Sequence, residues 1–150
     1  MKYTSLKSSN GLTLIELMIV VSIIMILAMV GVPSYNTFIA NERFAVATNE
    51  LYNAYRFARN EAIKTSSSMT LEASGGLWTN GWQVENASGA VLSVSRAPHS
   101  TIGISSAVDT LTVMGMGSIS GSMATFTVSS DTKTRCLTVL SSGQSELKDC

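Results

Sequence analysis

The hydrophobic positions of this chain are concentrated in one run that follows a short polar leader. The 21 residues from Leu12 to Val32 include only three polar side chains, those of Thr13, Glu16 and Ser22. An α-helix of this length spans the roughly 30 Å hydrocarbon core of a bilayer. The pattern therefore predicts a transmembrane helix over residues 12–33.

The leader, residues 1–11, contains Lys2 and Lys7 and no acidic residue. An excess of Lys and Arg beside a span keeps that side in the cytoplasm, so we expect the C-terminal end of the span to face outward. A secretory signal would have a small-residue cleavage motif after its apolar core, and none follows this span. Gly11 is the small residue suited to cleavage, and a cut there would remove the leader and keep the helix.

Glu16 lies inside the apolar run, close to its start. A charged carboxylate in hydrocarbon costs about 2.5 kcal/mol or more and is usually paired. Either a cation neutralises Glu16, or the side chain lies in the headgroup region, where the N-terminal end of the helix dipole favours an anion.

The helical pattern continues beyond the span, with one face marked at steps of four and three by Phe44, Thr48, Leu51, Tyr55, Ala58 and Ala62. This face should pack on a sheet. Gly31 and Pro33 lie where the span ends, and proline removes a backbone donor, so we expect a bend or a locally melted turn over residues 28–33. The pattern predicts one long bent helix from Leu12 to about Thr65, with residues 34–66 as its amphipathic half.

Beyond the helix the periodicity changes to two, and Ser, Thr, Gly and β-branched residues dominate. Seven segments fit short strands: Met69–Ala73, Trp82–Glu85, Ala90–Ser95, Thr101–Ile104, Thr110–Met114, Ala124–Ser129 and Arg135–Leu140. Glycine-containing turns such as Gly75-Gly76 and Asn80-Gly81 separate them. Residues 67–150 should therefore form a β-rich head of one or two antiparallel sheets, and the predicted fold class is α+β.

The N-terminal pattern resembles that of type IV pilins and pseudopilins. Their signal is a short basic leader ending in glycine, followed by an apolar helix with glutamate at its fifth residue and proline at its twenty-second. Gly11, Glu16 and Pro33 stand at these spacings, although most members have phenylalanine where this chain has Leu12. The resemblance implies the type IV pilin fold, cleavage after Gly11 by prepilin peptidase, and N-methylation of Leu12.

The same resemblance implies an assembly role for Glu16. Cleavage after Gly11 leaves an α-amine on Leu12, which is mostly cationic at neutral pH. When helices pack side by side in a filament, the carboxylate of one can pair with the amine of the next, which removes two charges from an apolar environment. Such a pair would set the stagger between subunits.

Two segments of the head are similar to the GspH/FimT-like branch of this family. RFARNEAIKTSS matches the branch pattern at Arg59, Glu61, Ala62, Ile63 and Lys64. WTNGWQV follows the pattern W-x-x-G-W-x-V. The resemblance implies a minor pilin that enters a type IV pilus, priming it or lying near its tip, and supports pilus assembly, twitching motility or adhesion.

Two other hypotheses stay open. A minor pseudopilin of a type II secretion system shares every motif, and a single-pass anchored binding domain that never polymerises is a third possibility. The pilin hypothesis implies a bacterial inner-membrane protein with its head in the periplasm, later found in a surface pilus or a periplasmic pseudopilus. Its expected partners are major and minor pilins, prepilin peptidase, the inner-membrane assembly platform and, before assembly, the membrane.

Charge argues against a general affinity for nucleic acid. The chain of 150 residues has ten Lys and Arg and ten Asp and Glu, and loss of Lys2 and Lys7 with the leader leaves eight against ten. Some members of the branch bind DNA through paired arginines near the C-terminus. The corresponding stretch here begins Gly143-Gln144-Ser145-Glu146, so we expect no direct DNA binding.

Cys136 and Cys150 are the two cysteines of the chain. In an exported head they should form a disulfide, closing a loop of about 15 residues worth about 3 kcal/mol. Zinc is the alternative, but two cysteines and the distant His99 are an incomplete ligand set. We expect no cofactor and no enzyme activity, since His99 is the single histidine and Gly117–Gly121 has isoleucine where a G-x-S-x-G elbow requires serine.

Two groups in the head have both a structural and a binding interpretation. Trp78 and Trp82 either cover the core or form an aromatic platform for a ligand. Arg56 and Arg59, together with Glu61, either belong to a solvated helix face or form a binding cluster.

The stretch from Asn86 to Ser130 contains only two charged residues, Arg96 and Asp109. It also contains three methionines, Met114, Met116 and Met123. Adaptable Met side chains on a weakly charged surface suit protein contacts, whereas a half-buried sheet would have the same composition. This stretch is the first candidate for contact with neighbouring subunits.

Overall fold

The computed structural model describes residues 13–150. The backbone there forms one α-helix, α1 (Leu14–Thr65), two short 3-10 helices (Ser74–Gly76 and Trp78–Asn80) and eight strands: β1 (Met69–Ala73), β2 (Gly81–Asn86), β3 (Val91–Arg96), β4 (Gly103–Ser106), β5 (Thr110–Val113), β6 (Met123–Ser129), β7 (Thr134–Leu140) and β8 (Ser145–Asp149). The chain divides into two compact units, one ending at Ile39 and the other comprising Ala40–Cys150. We refer to Ala40–Cys150 as the head.

The start of α1 differs from the prediction, and its end agrees. The helix begins at Leu14 rather than Leu12, because Thr13 is not helical and caps it. The Thr13 Oγ1 atom accepts a hydrogen bond from the backbone N–H of Glu16 at 3.3 Å. A threonine oxygen at this position satisfies one of the N–H groups that a helix leaves unpaired in its first turn.

The helix is continuous through Gly31 and Pro33. The alternative of a locally melted turn over residues 28–33 is therefore wrong. Proline removes a single donor, and the neighbouring Leu, Ala and Met residues favour helix strongly enough to maintain it. Thr37 Oγ1 donates to the Pro33 carbonyl at 3.0 Å, a contact of the type that often bends helices. The kink at Gly31 and Pro33 stays a prediction.

The eight strands form two four-stranded antiparallel sheets with the orders β3-β2-β1-β5 and β4-β6-β7-β8. All seven predicted strands are present, with ends displaced by at most two residues. Strand β8 was not predicted. Its sequence, SELKD, contains one apolar residue, Leu147, and so has almost no hydrophobic alternation. It pairs with β7 in the register Leu137↔Leu147.

The core of the head forms where the amphipathic half of α1 meets both sheets. All six residues of the predicted stripe are buried, namely Phe44, Thr48, Leu51, Tyr55, Ala58 and Ala62. Trp78 and Trp82 are also buried, which confirms their core role and excludes an exposed platform. The Trp78 ring meets the Phe126 ring edge-on at 4.8 Å, and its Nε1 donates to the Val108 carbonyl at 2.8 Å. Trp78 therefore links the β1–β2 connection to the second sheet.

Two hydrogen bonds connect the last turns of α1 to two glycine turns. The Tyr55 hydroxyl donates to the Gly143 carbonyl at 2.6 Å, and Arg59 Nε donates to the Gly117 carbonyl at 3.0 Å. Gly143 has a φ of 79°, and a Cβ there would overlap the Gly117 carbonyl oxygen. Glycine is required at this position because the two turns lie directly against each other. Helix α1 thus holds together the β5–β6 and β7–β8 connections.

A disulfide joins Cys136 in β7 to Cys150, directly after β8. The bond attaches the end of an edge strand to its neighbour, and it corresponds to the predicted pairing. Strand β8 also packs Leu147 against the core. The bond therefore secures a strand whose sequence alone has little tendency to form one.

We predict that the double variant Cys136→Ser/Cys150→Ser will lose about 3 kcal/mol of unfolding free energy, since the unfolded chain regains the entropy of the open loop. The double variant avoids an unpaired thiol. Urea unfolding of the full chain in detergent, followed by tryptophan fluorescence, measures the loss. Stability equal to that of the parent chain would contradict the predicted contribution.

We predict that Tyr55→Phe will lower the unfolding free energy by about 1 to 3 kcal/mol, because it leaves the buried Gly143 carbonyl without its donor. The matched control is Tyr52→Phe, since the half-buried Tyr52 makes no side-chain hydrogen bond within residues 13–150. The same urea experiment compares the two variants. Equal losses would show that the Tyr55 hydroxyl has no special role.

The stability of the head should also fall at alkaline pH through Tyr55. Burial raises the pKa of the Tyr55 hydroxyl above 10.0, and the neighbouring Arg59 charge offsets part of that rise. The folded state therefore retains the proton after the unfolded chain has released it, so the contribution is complete below about pH 10 and is lost as the pH rises through the folded-state pKa. Urea unfolding over this range should show a smaller decline for Tyr55→Phe than for the parent chain, and identical declines would contradict the assignment.

Candidate assembly site

Glu16 is the third helical residue of α1, in the first turn. Together with the N-cap Thr13 it forms the sequence T-x-x-E, which is the signature of a capping box. The signature is present in the sequence as the segment TLIE, although the sequence-based prediction did not use it. Glu16 therefore lies in the first turn, near the positive end of the helix dipole, where an anion is favoured.

The helix surface around Glu16 is apolar and uncovered. Every residue of α1 from Leu14 to Phe38 is exposed, including Leu14 and Met29, which are each 77% exposed. In the described part of the chain, α1 alone is long and apolar enough to cross a membrane. An apolar surface of this size requires a lipid or protein environment to cover it. Together with the pilin motif, it indicates membrane anchoring.

The three polar residues of the span differ in how their side chains are satisfied. Thr13 caps the helix, and Ser22 Oγ donates to the Met18 carbonyl at 2.8 Å. Within residues 13–150 the Glu16 carboxylate makes neither a hydrogen bond nor an ion pair, because the salt bridges there join Lys64 to Glu61, Arg135 to Asp149 and Lys148 to Glu146. No basic residue lies between Glu16 and Arg43 in the sequence. The described chain therefore offers Glu16 no counter-ion.

The other predicted site residues do not lie together with Glu16. Gly11 and Leu12, the expected cleavage and methylation positions, lie outside the described residues, as does the rest of the leader. Gly31 and Pro33 lie on the exposed part of α1. The disulfide belongs to the head and does not contribute to this site.

The charged residues considered as a binding cluster on the amphipathic half of α1, Arg56, Arg59 and Glu61, do not converge on one point. The Arg56 guanidinium lies over the Tyr52 ring at 5.6 Å, whereas Arg59 is bonded to the Gly117 carbonyl. Glu61 pairs with Lys64 at 3.2 Å. Each of these charged groups has its own intramolecular partner. A role in the structure of the head therefore accounts for all three, without a binding cluster.

The stretch proposed for subunit contacts presents its methionines at the surface, with relative exposures of 44% for Met114, 88% for Met116 and 57% for Met123. Half-burial of the sheet does not explain these three side chains, and the contact role stays a prediction. His99 is exposed, and its Nδ1 lies 3.0 Å from the Thr101 hydroxyl. Residues 13–150 contain no group of three His, Cys, Asp or Glu side chains that could hold a metal ion.

Solved structures with a similar fold include two crystal forms of the type IV minor pilin FimU from Pseudomonas aeruginosa strain PAO1. The P21 form has a TM-score of 0.65 and 21% sequence identity, and the alignment covers 74% of this chain and 92% of that one. The P65 form has a TM-score of 0.58 and 22% identity, covering 69% of this chain and 91% of that one. At this level of identity the similarity establishes the type IV pilin fold, as the sequence predicted.

Comparison with protein families gives two matches. The model of the prokaryotic N-terminal methylation motif matches residues 6–32, which include Gly11, Leu12 and Glu16. The model of the type II transport protein GspH matches residues 47–143. No curated protein sequence matches the chain. Because the second family model extends over more than half of the sequence, this chain belongs to the GspH family and carries the N-terminal methylation motif of pilin-like proteins.

Proposed function

We propose that this protein is a minor type IV pilin. Prepilin peptidase removes residues 1–11, the apolar half of α1 holds the chain in the bacterial inner membrane with the head in the periplasm, and the subunit then enters a pilus. Its place there is at or near the tip, where it helps to prime assembly with other major and minor pilins. The role is structural, with no catalytic step.

The observation that carries this proposal is an apolar helix whose single charge lacks a counter-ion. From Leu14 to Phe38 the exposed surface of α1 contains Glu16 and no other ionisable group apart from Tyr35. The helix dipole contributes about 0.3 to 1 kcal/mol at the surface and at most about 2 kcal/mol in favourable geometry. A carboxylate in hydrocarbon costs about 2.5 kcal/mol or more. The dipole therefore does not compensate the charge, and a cation from outside the described chain is needed.

The α-amine of a neighbouring subunit supplies that cation. It is created at Leu12 by leader removal and stays cationic after N-methylation. Pairing of this amine with Glu16 neutralises two charges at once in an apolar surrounding, and removing either partner leaves the other charge uncompensated. Because both groups lie near the same end of their helices, the pair fixes one axial offset between adjacent subunits. Extraction from the membrane and alignment in the filament thus depend on one contact.

A minor pseudopilin of a type II secretion system is the second candidate function. The observation in its favour is the family match, since the matching family is described as a type II transport protein. A pseudopilin would use Glu16 and its own N-terminus in the same way. The two functions therefore differ in the machine that the protein joins and share the chemistry of the site.

Deletion of the protein, scored for two phenotypes in the same strain, separates these functions. Loss of surface pili with normal enzyme secretion supports the minor pilin, and the reverse result supports the pseudopilin. Dependence of the mature form on prepilin peptidase separates both from an anchored domain that never polymerises. A chain that keeps its leader would exclude both assembly functions.

We predict that Glu16→Ala will leave leader removal intact and lower incorporation into sheared filaments at least about tenfold, which corresponds to about 1.4 kcal/mol or more. The reason is that the amine of the neighbouring subunit loses its partner, while the helix without the carboxylate is more stable in lipid. Immunoblots of filament and membrane fractions, with the size shift of leader cleavage, measure both effects.

The matched control is Glu42→Ala, which removes an exposed carboxylate of α1 outside the span. It should be processed and incorporated like the parent chain. Normal incorporation of Glu16→Ala would exclude the charge pair as the basis of assembly.

A further inference from the structure

A groove of about 710 Å³ runs along one side of the head, between α1 and the edge strand β3. The helix contributes side chains one to two turns apart, among them Val46, Glu50 and Phe57. The strand contributes the consecutive residues Ser93–Arg96. All of these residues belong to the head.

The groove exists because β3 has small side chains where β2 has large ones. In the antiparallel register Ser93 lies opposite Val84, and Ser95 lies opposite Trp82. Opposed residues share a face of the sheet, so both serines lie on the face that β2 packs against the core. Serine is too short to cover the helix, and Phe57 remains 40% exposed. A gap between α1 and β3 therefore stays open along this side of the head.

The backbone of β3 also borders the groove. Alternate residues of a strand point to opposite faces, so four consecutive lining residues mean that the strand edge itself faces the space. Strand β3 is the last strand of its sheet, and within residues 13–150 no strand pairs with its outer edge. Native edges are normally blunted by proline, bulges or several charges. Here the bulge is confined to Leu92, Pro98 lies beyond the end of the strand, and the regular segment Ser93–Arg96 has a single charge at its end.

The charges around the groove favour an acidic occupant. Arg43 and Arg96 both line it, and neither forms an ion pair within residues 13–150. Glu50 is the one carboxylate among the lining residues. The groove therefore combines an unpaired row of backbone donors and acceptors, an apolar floor and an excess of guanidinium groups.

We propose that this groove receives an extended segment of a different, neighbouring pilin subunit, which adds to the β3 edge as a further strand. Alternate side chains of that segment are apolar and pack on Val46 and Phe57, and a carboxylate on it pairs with Arg96. At about 3.3 Å per residue, the segment Ser93–Arg96 matches an occupant of four to five residues. Strand addition of this kind takes its affinity from main-chain hydrogen bonds and its specificity from alternate side chains. The inference rests on the proposed function, since it assumes that subunits assemble.

Hydrogen exchange tests the strand itself. The full chain is purified once as the processed monomer in detergent and once in complex with the other pilins, and backbone exchange is followed by mass spectrometry. We expect the amides of β3 to exchange at least about tenfold more slowly in the complex, because they gain hydrogen bonds. Strand β8, an edge strand of the other sheet that lies outside the groove, is the internal control and should not change. Equal β3 exchange in both samples would overturn the proposal, whether the groove is empty or is covered by a helix or a flat surface.

Charge reversal tests the acidic occupant. We expect Arg96→Glu to lower incorporation into filaments about tenfold, with leader cleavage and tryptophan fluorescence unchanged. The matched control is Lys133→Glu, which reverses an exposed cation between β6 and β7, outside the groove and without an ion pair within residues 13–150, and which should incorporate like the parent chain. Normal incorporation of Arg96→Glu would overturn the proposed charge recognition. If Glu16→Ala blocks assembly in the same assay, the proposed function stands without the groove; if Glu16→Ala also incorporates normally, the proposed function itself fails.

A photoreactive residue at Val94, which is exposed at the groove, identifies the occupant by mapping the crosslinked peptide. The expected product joins β3 to an extended segment with at least one Asp or Glu from another pilin. A product that joins β3 to a second copy of this chain, or to a helix, would overturn the proposal.

Discussion

The uncompensated carboxylate of Glu16 is the constraint on which the organisation of this protein depends. A fully apolar helix would be stable in a bilayer, with no charge whose cost favours another environment. A helix with several charges would not enter the bilayer. One acidic group in the first turn of a helix capped by Thr13, with no ion pair within residues 13–150, gives a segment that lipid accepts at a cost. The rest of α1 has two parts, an exposed apolar part before Ala40 and an amphipathic part after it that contributes to the core of the head.

In the head, α1 is the scaffold on which the two sheets pack. Buried side chains of α1 supply a continuous apolar face, and Trp78 bridges the sheets through Phe126 and the Val108 carbonyl. Tyr55 and Arg59 then hold the two glycine turns. Few charged residues are needed for this arrangement, which agrees with a chain in which only 13% of the residues are charged.

The elements with strong periodicity could be predicted from the sequence, and those defined by distant contacts could not. The stripe from Phe44 to Ala62 and the strand Met69–Ala73 correspond closely to the structure, because apolar spacing alone specifies them. Strand β8 was missed because pairing with β7 and the disulfide compensate for its polar sequence. The bond from Tyr55 to Gly143 joins residues 88 positions apart, and no local pattern encodes it. At the candidate assembly site, Glu16 could be predicted because a carboxylate in lipid is costly. The helix cap formed by Thr13 was not predicted.

The alignment of the buried stripe along α1 has a mechanical consequence for the head. Phe44 and Leu51 lie towards the end of the head where α1 enters it, and the hydrogen bonds of Tyr55 and Arg59 lie one to two turns further on. Tension applied along the helix axis would shear these contacts together instead of peeling them apart singly. A pull on the helix would therefore unfold the head only when several of these contacts break at once.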